Sequence, residues 1–204
     1  MTVAVVSLGA NLGDRLARLQ DAVDGLCAHR VSSVYETPPW GDPEGADSLD
    51  ASRPGLGTFA DQPAYLNAVV IAADDHRQPR DWLALARHLE NQAGRVRDPA
   101  RRYGPRPLDV DLIDIRTASG QSLVSDDPEL TLPHPRARLR AFVLVPWREL
   151  EPDAVVPGAG TVTALLAEPG PAEDAPRVRR RPDLPLRAVK DCSPMTDPTT
   201  PRGA

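Results

Sequence analysis

Apolar residues recur along this chain in two rhythms, and the order of those rhythms points to an architecture. Residues 3–8 form a short continuous apolar run, suited to a buried strand, that ends in Gly9-Ala10-Asn11-Leu12-Gly13. Leu16, Leu19, Val23 and Leu26 then recur at helical spacing behind Asp14, whose carboxylate suits an N-cap. A second strand is predicted over residues 31–35, stopped by Thr37-Pro38-Pro39 because proline removes a ladder donor. Residues 65–73 read as a third strand. Residues 81–93 read as a helix with Trp82, Leu85, Ala86 and Leu89 on one face. A fourth strand is predicted over residues 108–115. Strand–helix–strand–strand–helix–strand is the order of a ferredoxin-like α+β fold, an antiparallel sheet packed with helices in three α/β/α layers.

The remaining segments lack either rhythm. Residues 41–63 hold Gly, Pro, Asp and Ser without apolar periodicity, which predicts a long loop of functional or disordered type. Residues 142–145 are apolar, but their length does not decide between strand and helix. From 168 onward prolines recur with no period, so the chain divides into a folded domain over 1–167 and a disordered tail over 168–204. A formal net charge of −5 argues against binding nucleic acid or a membrane surface by bulk electrostatics. No apolar run reaches the roughly 18 residues of a membrane span, and residues 1–8 lack the basic region of a secretion signal. Cys27 and Cys192 fall in unrelated contexts without ligand spacing. A soluble cytoplasmic protein in a reducing compartment is expected.

Three groups of residues could carry chemistry. In Leu108-Asp109-Val110-Asp111-Leu112-Ile113-Asp114-Ile115, strand alternation puts Asp109 and Asp111 on one face with Ile113 and Ile115. Their Cα atoms would stand about 6.6 Å apart. At an effective dielectric near 20, two such charges repel by roughly 3 kcal/mol. A cation would offset that, and Mg²⁺ typically takes one or two carboxylates together with substrate phosphates. Five arginines fall within residues 94–106, although Lys190 is the only lysine in the chain. Guanidinium forks match phosphate oxygens in pairs, so anion and cation sites adjoin, as a metal–polyphosphate requires. Tyr65 and Asn67 share a strand face and offer a flat ring and an amide. The glycines after the first strand lack both GxGxxG and the Walker lysine, so they read as a tight turn.

Taken in order, these segments resemble 6-hydroxymethyl-7,8-dihydropterin pyrophosphokinase over about residues 3–157. The most specific matches are Gly94-Arg95-Val96-Arg97, Tyr103-Gly104-Pro105-Arg106-Pro107-Leu108-Asp109-Val110-Asp111 and Leu132-Pro133-His134. The resemblance implies that pyrophosphate passes from ATP to a reduced pterin in folate biosynthesis, giving AMP, with catalysis by Arg95, Arg97, Arg106, Asp109 and Asp111. Asp109 and Asp111 would hold two Mg²⁺ ions. Glu90, Leu112, His134 and Arg140 would join the arginines in binding ATP. Thr37, Pro38, Trp40, Tyr65, Asn67, Tyr103 and Phe142 would bind the pterin. It implies no nucleic acid, membrane or obligate protein partner. Two other readings compete: a magnesium-dependent transferase with another acceptor, and an inactive RNA-binding sheet. The chain has few aromatics for the second, and Tyr65, Asn67 and Phe142 oppose the first.

Overall fold

The computed structural model describes residues 1–40, 62–95, 104–190 and 192. The long loop predicted over 41–63 falls almost entirely outside them. Strand β1 (Thr2–Ala10) leads into α1 (Arg15–Gly25), whose first turn is capped by the Asp14 carboxylate accepting from Ala17 N at 3.1 Å. The strand expected over 31–35 is two pieces, β2 (Arg30–Val31) and β3 (Tyr35–Thr37), both paired with β4 (Tyr65–Asp74). Ser32 bridges them: its N–H donates to Val69 O and its hydroxyl accepts from Val69 N. Helix α2 (Pro79–Gln92) starts on proline, whose missing donor costs nothing there. Its fully buried Trp82 donates to Thr2 Oγ1.

Strand β5 (Asp109–Thr117) completes the ferredoxin-like sheet, antiparallel in the order β3-β4-β1-β5. One face packs Ala4, Val6 and Leu8 against Leu19, Val23, Trp82 and Leu89 of α1 and α2. The other packs Val5, Val69 and Ile113 against α3 (Ala141–Leu150), which settles residues 142–145 as helix. Three α/β/α layers result. A bulge in β5 opposite Val5 and Val6 alters the face reading. Ile113 lies in the core beneath α3, whereas Ile115 lies beneath α1 and α2. The extra residue breaks the two-residue alternation that had placed both on one face. It also places Asp114 wholly in the interior, where Arg116 Nε at 2.7 Å and Ser122 Oγ at 3.0 Å both donate to Oδ2, while Oδ1 has no hydrogen-bond partner among the described residues.

Beyond β5, β6 (Ser125–Asp127) and β7 (Leu130–Leu132) form a hairpin, and the Leu132–Pro133 peptide is cis. A smaller hairpin, β8 (Val155–Val156) and β9 (Gly160–Thr161), precedes α4 (Val162–Leu165).

The disorder expected from residue 168 is not found over 168–190. Helix α5 (Pro169–Asp174) is followed by β10 (Arg179–Arg180), which adds to the outer edge of β3. Arg181 reaches Glu36 at 2.9 Å, and Leu184, Leu186 and Val189 pack on the core beside α1. Sheet edges and apolar faces already built by earlier residues supply the order, so the segment needs no periodicity of its own. The two cysteines, read as unrelated, are joined: Cys27 and Cys192 form a disulfide across 165 residues of sequence.

Truncation after residue 167 is therefore expected to weaken the fold, lowering stability by about 2–4 kcal/mol through the apolar contacts removed. Urea unfolding of the two proteins measures this. In the loop-closure estimate a cross-link of this span contributes up to roughly 5 kcal/mol, so reduction should also move the transition to lower urea. The buried Tyr35 hydroxyl donates to Glu149 at 2.9 Å; burial, with that carboxylate, pushes its pKa up to about 12. A proton held more tightly in the folded state stabilises it below the unfolded pKa near 10, and that contribution disappears as pH rises to about 12. Stability measured across this range should fall more steeply for the wild type than for Tyr35→Phe.

Candidate active site

A cavity of about 420 Å³ opens at one end of the sheet and wraps around β5, which is an edge strand. On the α3 side of β5 its floor is built from Ser7, Gly9, Asn67, Asp109 and Asp111. On the other side it is walled by Leu83, Ala86, Arg87 and Glu90 of α2, with Leu130 and Thr131 of β7. Of the residues anticipated from sequence, Thr37, Pro38, Trp40, Tyr65, Asn67, Glu90, Arg95, Arg106, Asp109, Asp111, Leu112, His134, Arg140 and Phe142 all line it. Arg97 and Tyr103 lie outside the described residues.

The carboxylates are not left to repel one another. Arg106 donates to Asp109 Oδ2 at 2.9 Å, Arg95 to Asp109 Oδ1 at 2.5 Å, and Arg140 to Asp111 at 3.1 Å. Burial alone would raise the Asp109 pKa; Arg106 and Arg95 outweigh it and hold the carboxyl below the usual range. Arg95 is itself braced from behind by Glu90, a buried residue of α2 that also accepts from Val110 N at 3.1 Å. A glutamate so deep is tolerable because both a guanidinium and a backbone N–H meet it. Burial lowers the His134 pKa, with Asp111 opposing, so its imidazole is neutral near pH 7.

The opposite wall is aromatic and amide-bearing. Tyr65 and Asn67 alternate on β4, and Asn67 donates to Thr37 Oγ1 at 2.9 Å across the strand pair, which fixes the amide. Burial raises the Tyr65 pKa and keeps its phenol neutral. Phe142 meets Trp40 edge-on at 6.1 Å between centroids. Gly9 lies between the two walls. A Cβ there would stand 3.3 Å from Asn67 Oδ1 and 3.8 Å from Asp109 Cβ, so only glycine leaves the floor open.

Gly9 and Asn11 were read as parts of a turn, but their places are more specific. Gly9 belongs to β1, and a glycine inside a strand is a signal of close approach. Asn11, almost wholly buried, accepts from Arg106 N at 2.7 Å and donates to Pro63 O at 3.3 Å. It thus ties Pro63 and Arg106, which are far apart in the chain, to the end of β1. Arg87 and Thr131 had no sequence signal, since only the packing of α2 and β7 beside β5 brings them here.

Two carboxylates two residues apart offer the hard oxygen donors that a divalent magnesium ion takes beside substrate phosphates. Among the described residues no cluster of three His, Cys, Asp or Glu side chains forms an all-protein cage. The buried Arg140 Nε lacks a hydrogen-bond partner among the described residues, as a donor awaiting an anion would. Asp109 and Asp111 thus fit such an ion, and the arginines fit its phosphates.

These pairs alter the stability expected of carboxylate substitutions. Had the two charges been uncompensated, replacement by Asn would be neutral or stabilising. With arginines standing against them, Asp109→Asn should lose about 1–3 kcal/mol, because two guanidinium groups are left facing each other. Asp111→Asn, with one partner and greater exposure, should lose less than about 1 kcal/mol. Melts in the absence of divalent metal rank the two variants.

Comparison with known proteins identifies the family. The family model described as 7,8-dihydro-6-hydroxymethylpterin-pyrophosphokinase (HPPK) matches residues 5–152. A relative from Mycobacterium tuberculosis is 46% identical over 182 residues, covering 85% of this chain and 87% of its own. One from Methylorubrum extorquens is 40% identical over 178 residues, covering 84% and 96%. Both are named 2-amino-4-hydroxy-6-hydroxymethyldihydropteridine pyrophosphokinase. Among solved structures, a Plasmodium falciparum HPPK-DHPS chain aligns with a TM-score of 0.57 at 14% identity, covering 88% of this chain. This chain spans 46% of that one, and the likeness carries the fold alone. By the extent and identity of the sequence matches, the chain belongs to the 7,8-dihydro-6-hydroxymethylpterin-pyrophosphokinase family.

Proposed function

We propose that this chain is a pyrophosphokinase that moves the terminal pyrophosphate of ATP onto the hydroxymethyl group of 6-hydroxymethyl-7,8-dihydropterin, in folate biosynthesis. The observation that carries the reading is a single cavity with two chemically distinct poles. One pole is Asp109 and Asp111 under Arg95, Arg106 and Arg140; the other is Tyr65, Asn67, Trp40 and Phe142. A flat, polar-edged heterocycle suits the second pole, and a triphosphate suits the first. Gly9 leaves the floor between them open.

In this reading Asp109 and Asp111 hold two Mg²⁺ ions, which would supply charge neutralisation on the phosphates and orient them. Arg95, Arg106 and Arg140 exchange carboxylate oxygens for phosphate oxygens as the nucleotide arrives, so the site stays near electrical balance throughout. Neutral His134 donates without adding charge. Glu90 keeps Arg95 in place during the exchange, and Leu112 and Thr131 border the nucleotide on the far side of β5. Tyr65 and Phe142 flank the pterin ring while the Thr37-held amide of Asn67 meets its polar edge. The substrate hydroxyl oxygen bonds to the β-phosphorus and gives up its proton to solvent, the bond from that phosphorus to the α-phosphate oxygen breaks, and AMP leaves. Positioning and preorganised charge supply the rate, because phosphoryl transfer asks little covalent help of a protein.

ATP and reduced pterin are small cytoplasmic solutes, and we place the enzyme there without nucleic-acid, membrane or obligate protein partners. Among the described residues no helix is long and apolar enough to cross a membrane.

Mass spectrometry of a reaction holding ATP, Mg²⁺ and the reduced pterin should show AMP and the pterin diphosphate in equal amounts. ADP as the nucleotide product would overturn the proposal. Asp109→Asn and Asp111→Asn should each reduce kcat at least about 100-fold, far beyond what their stability losses explain at a temperature where both remain folded.

A further inference from the structure

The C-terminal segment does more than cover a sheet edge, because one of its side chains reaches the aromatic pole. Asp174, the last residue of α5, accepts from Trp40 Nε1 through Oδ2 at 3.0 Å. Its other oxygen faces Arg177 at 4.0 Å. An indole N–H meeting a carboxylate is charge-assisted and stronger than a neutral pair.

Trp40 in turn packs with Phe142 and Arg140. The Arg140 guanidinium lies over both rings, 5.3 Å from the Trp40 centroid and 5.6 Å from that of Phe142. The same guanidinium pairs with Asp111. Behind Trp40 a second cavity of about 170 Å³ shares Thr37, Pro38, Trp40 and Phe142 with the first and is closed by Asp174 and Val178. Among the described residues this cavity leaves space beside the indole, and the hydrogen bond to Asp174 holds the ring against moving into it.

We propose that Asp174 is a positioning residue for the aromatic pole: it fixes Trp40, and through Trp40 the Phe142 ring it meets edge-on, making the C-terminal segment part of the active site. The segment is suited to the task because it is held at both ends of its course. Strand β10 pairs with β3, the strand that leads into Trp40, and Arg181 grips Glu36 of that strand. The disulfide ties the segment's far end to the residues after α1. This inference rests on the pyrophosphokinase reading for its kinetic consequence but not for its geometric one.

The test compares Asp174→Ala and Asp174→Leu, which remove the acceptor, with Asp174→Asn, which keeps an oxygen in place. The first two should raise KM for the pterin about tenfold, with KM for ATP within about twofold, while Asp174→Asn stays near the wild type. Acrylamide quenching of the ligand-free proteins supplies a readout independent of turnover. Trp82 and Trp147 are fully buried, so quenching reports Trp40. It should increase in the Ala and Leu variants and not in Asn. Equal rises of both KM values would show a merely structural role and overturn the proposal. Unchanged quenching, or an Asn variant as defective as Ala, would also overturn it. If the wild type does not use the pterin, the functional reading has failed, and the quenching comparison alone decides whether Asp174 holds Trp40.

Discussion

Two carboxylates at successive same-face positions of a strand can stand at the rim of a buried face only if cations stand against them. Asp109 and Asp111 do so at the start of β5, and much of the surrounding structure serves that balance. Helix α2 ends with Glu90 beneath Arg95; the turn into β5 brings Arg106 back onto Asp109; α3 is preceded by Arg140 over Asp111. The carboxylates keep their charge because the guanidinium groups offset burial. The same guanidinium groups are then the ones that a polyphosphate would take over. A site whose carboxylates and guanidinium groups already balance can exchange partners without holding a large excess of one sign, which lowers the reorganisation needed at the moment of transfer.

The two poles of the cavity depend on sheet geometry in different ways. The phosphate pole uses the free edge of β5, where side chains from α2 and β7 can approach from one side and those before α3 from the other. The aromatic pole uses the interior of the sheet, where Thr37, Tyr65 and Asn67 face each other across β3 and β4. Gly9 of β1 lies between β4 and β5 and separates the poles by nothing more than backbone. The C-terminal segment closes the aromatic side from outside. Its order comes from docking: β10 borrows the ladder of β3, and its apolar residues borrow the core beside α1.

The fold was legible from residue patterning because its elements are locally self-consistent. Apolar runs and helical periodicities in the first 117 residues set out β1, β4 and β5 with α1 and α2, and Asp14 marked its helix start correctly, but β2 and β3 were read as one strand over 31–35. The candidate site was legible because side-chain spacing on a regular strand is a local property, as in Asp109 with Asp111 and Tyr65 with Asn67. Neither kind of reasoning reaches a bulge, a disulfide or a docked tail. The face of Ile115 was lost to one extra residue in β5, and the partnership of Cys27 with Cys192 joins points that share no local pattern.

What the sequence determined by itself was therefore the order of the main strands and helices as far as β5, and which pairs of functional side chains share a face; both follow from backbone geometry repeating every few residues. Only tertiary structure decided that Arg95 and Arg140 stand against the carboxylates, that Asn11 ties two distant segments, and that residues 168–190 are ordered. Each of these depends on groups far apart in the chain meeting at low exposure, where desolvation makes the pairing of charge and hydrogen-bonding groups obligatory. Periodicity cannot encode such a meeting, because its energy exists only once the sheet and its layers have brought the partners together.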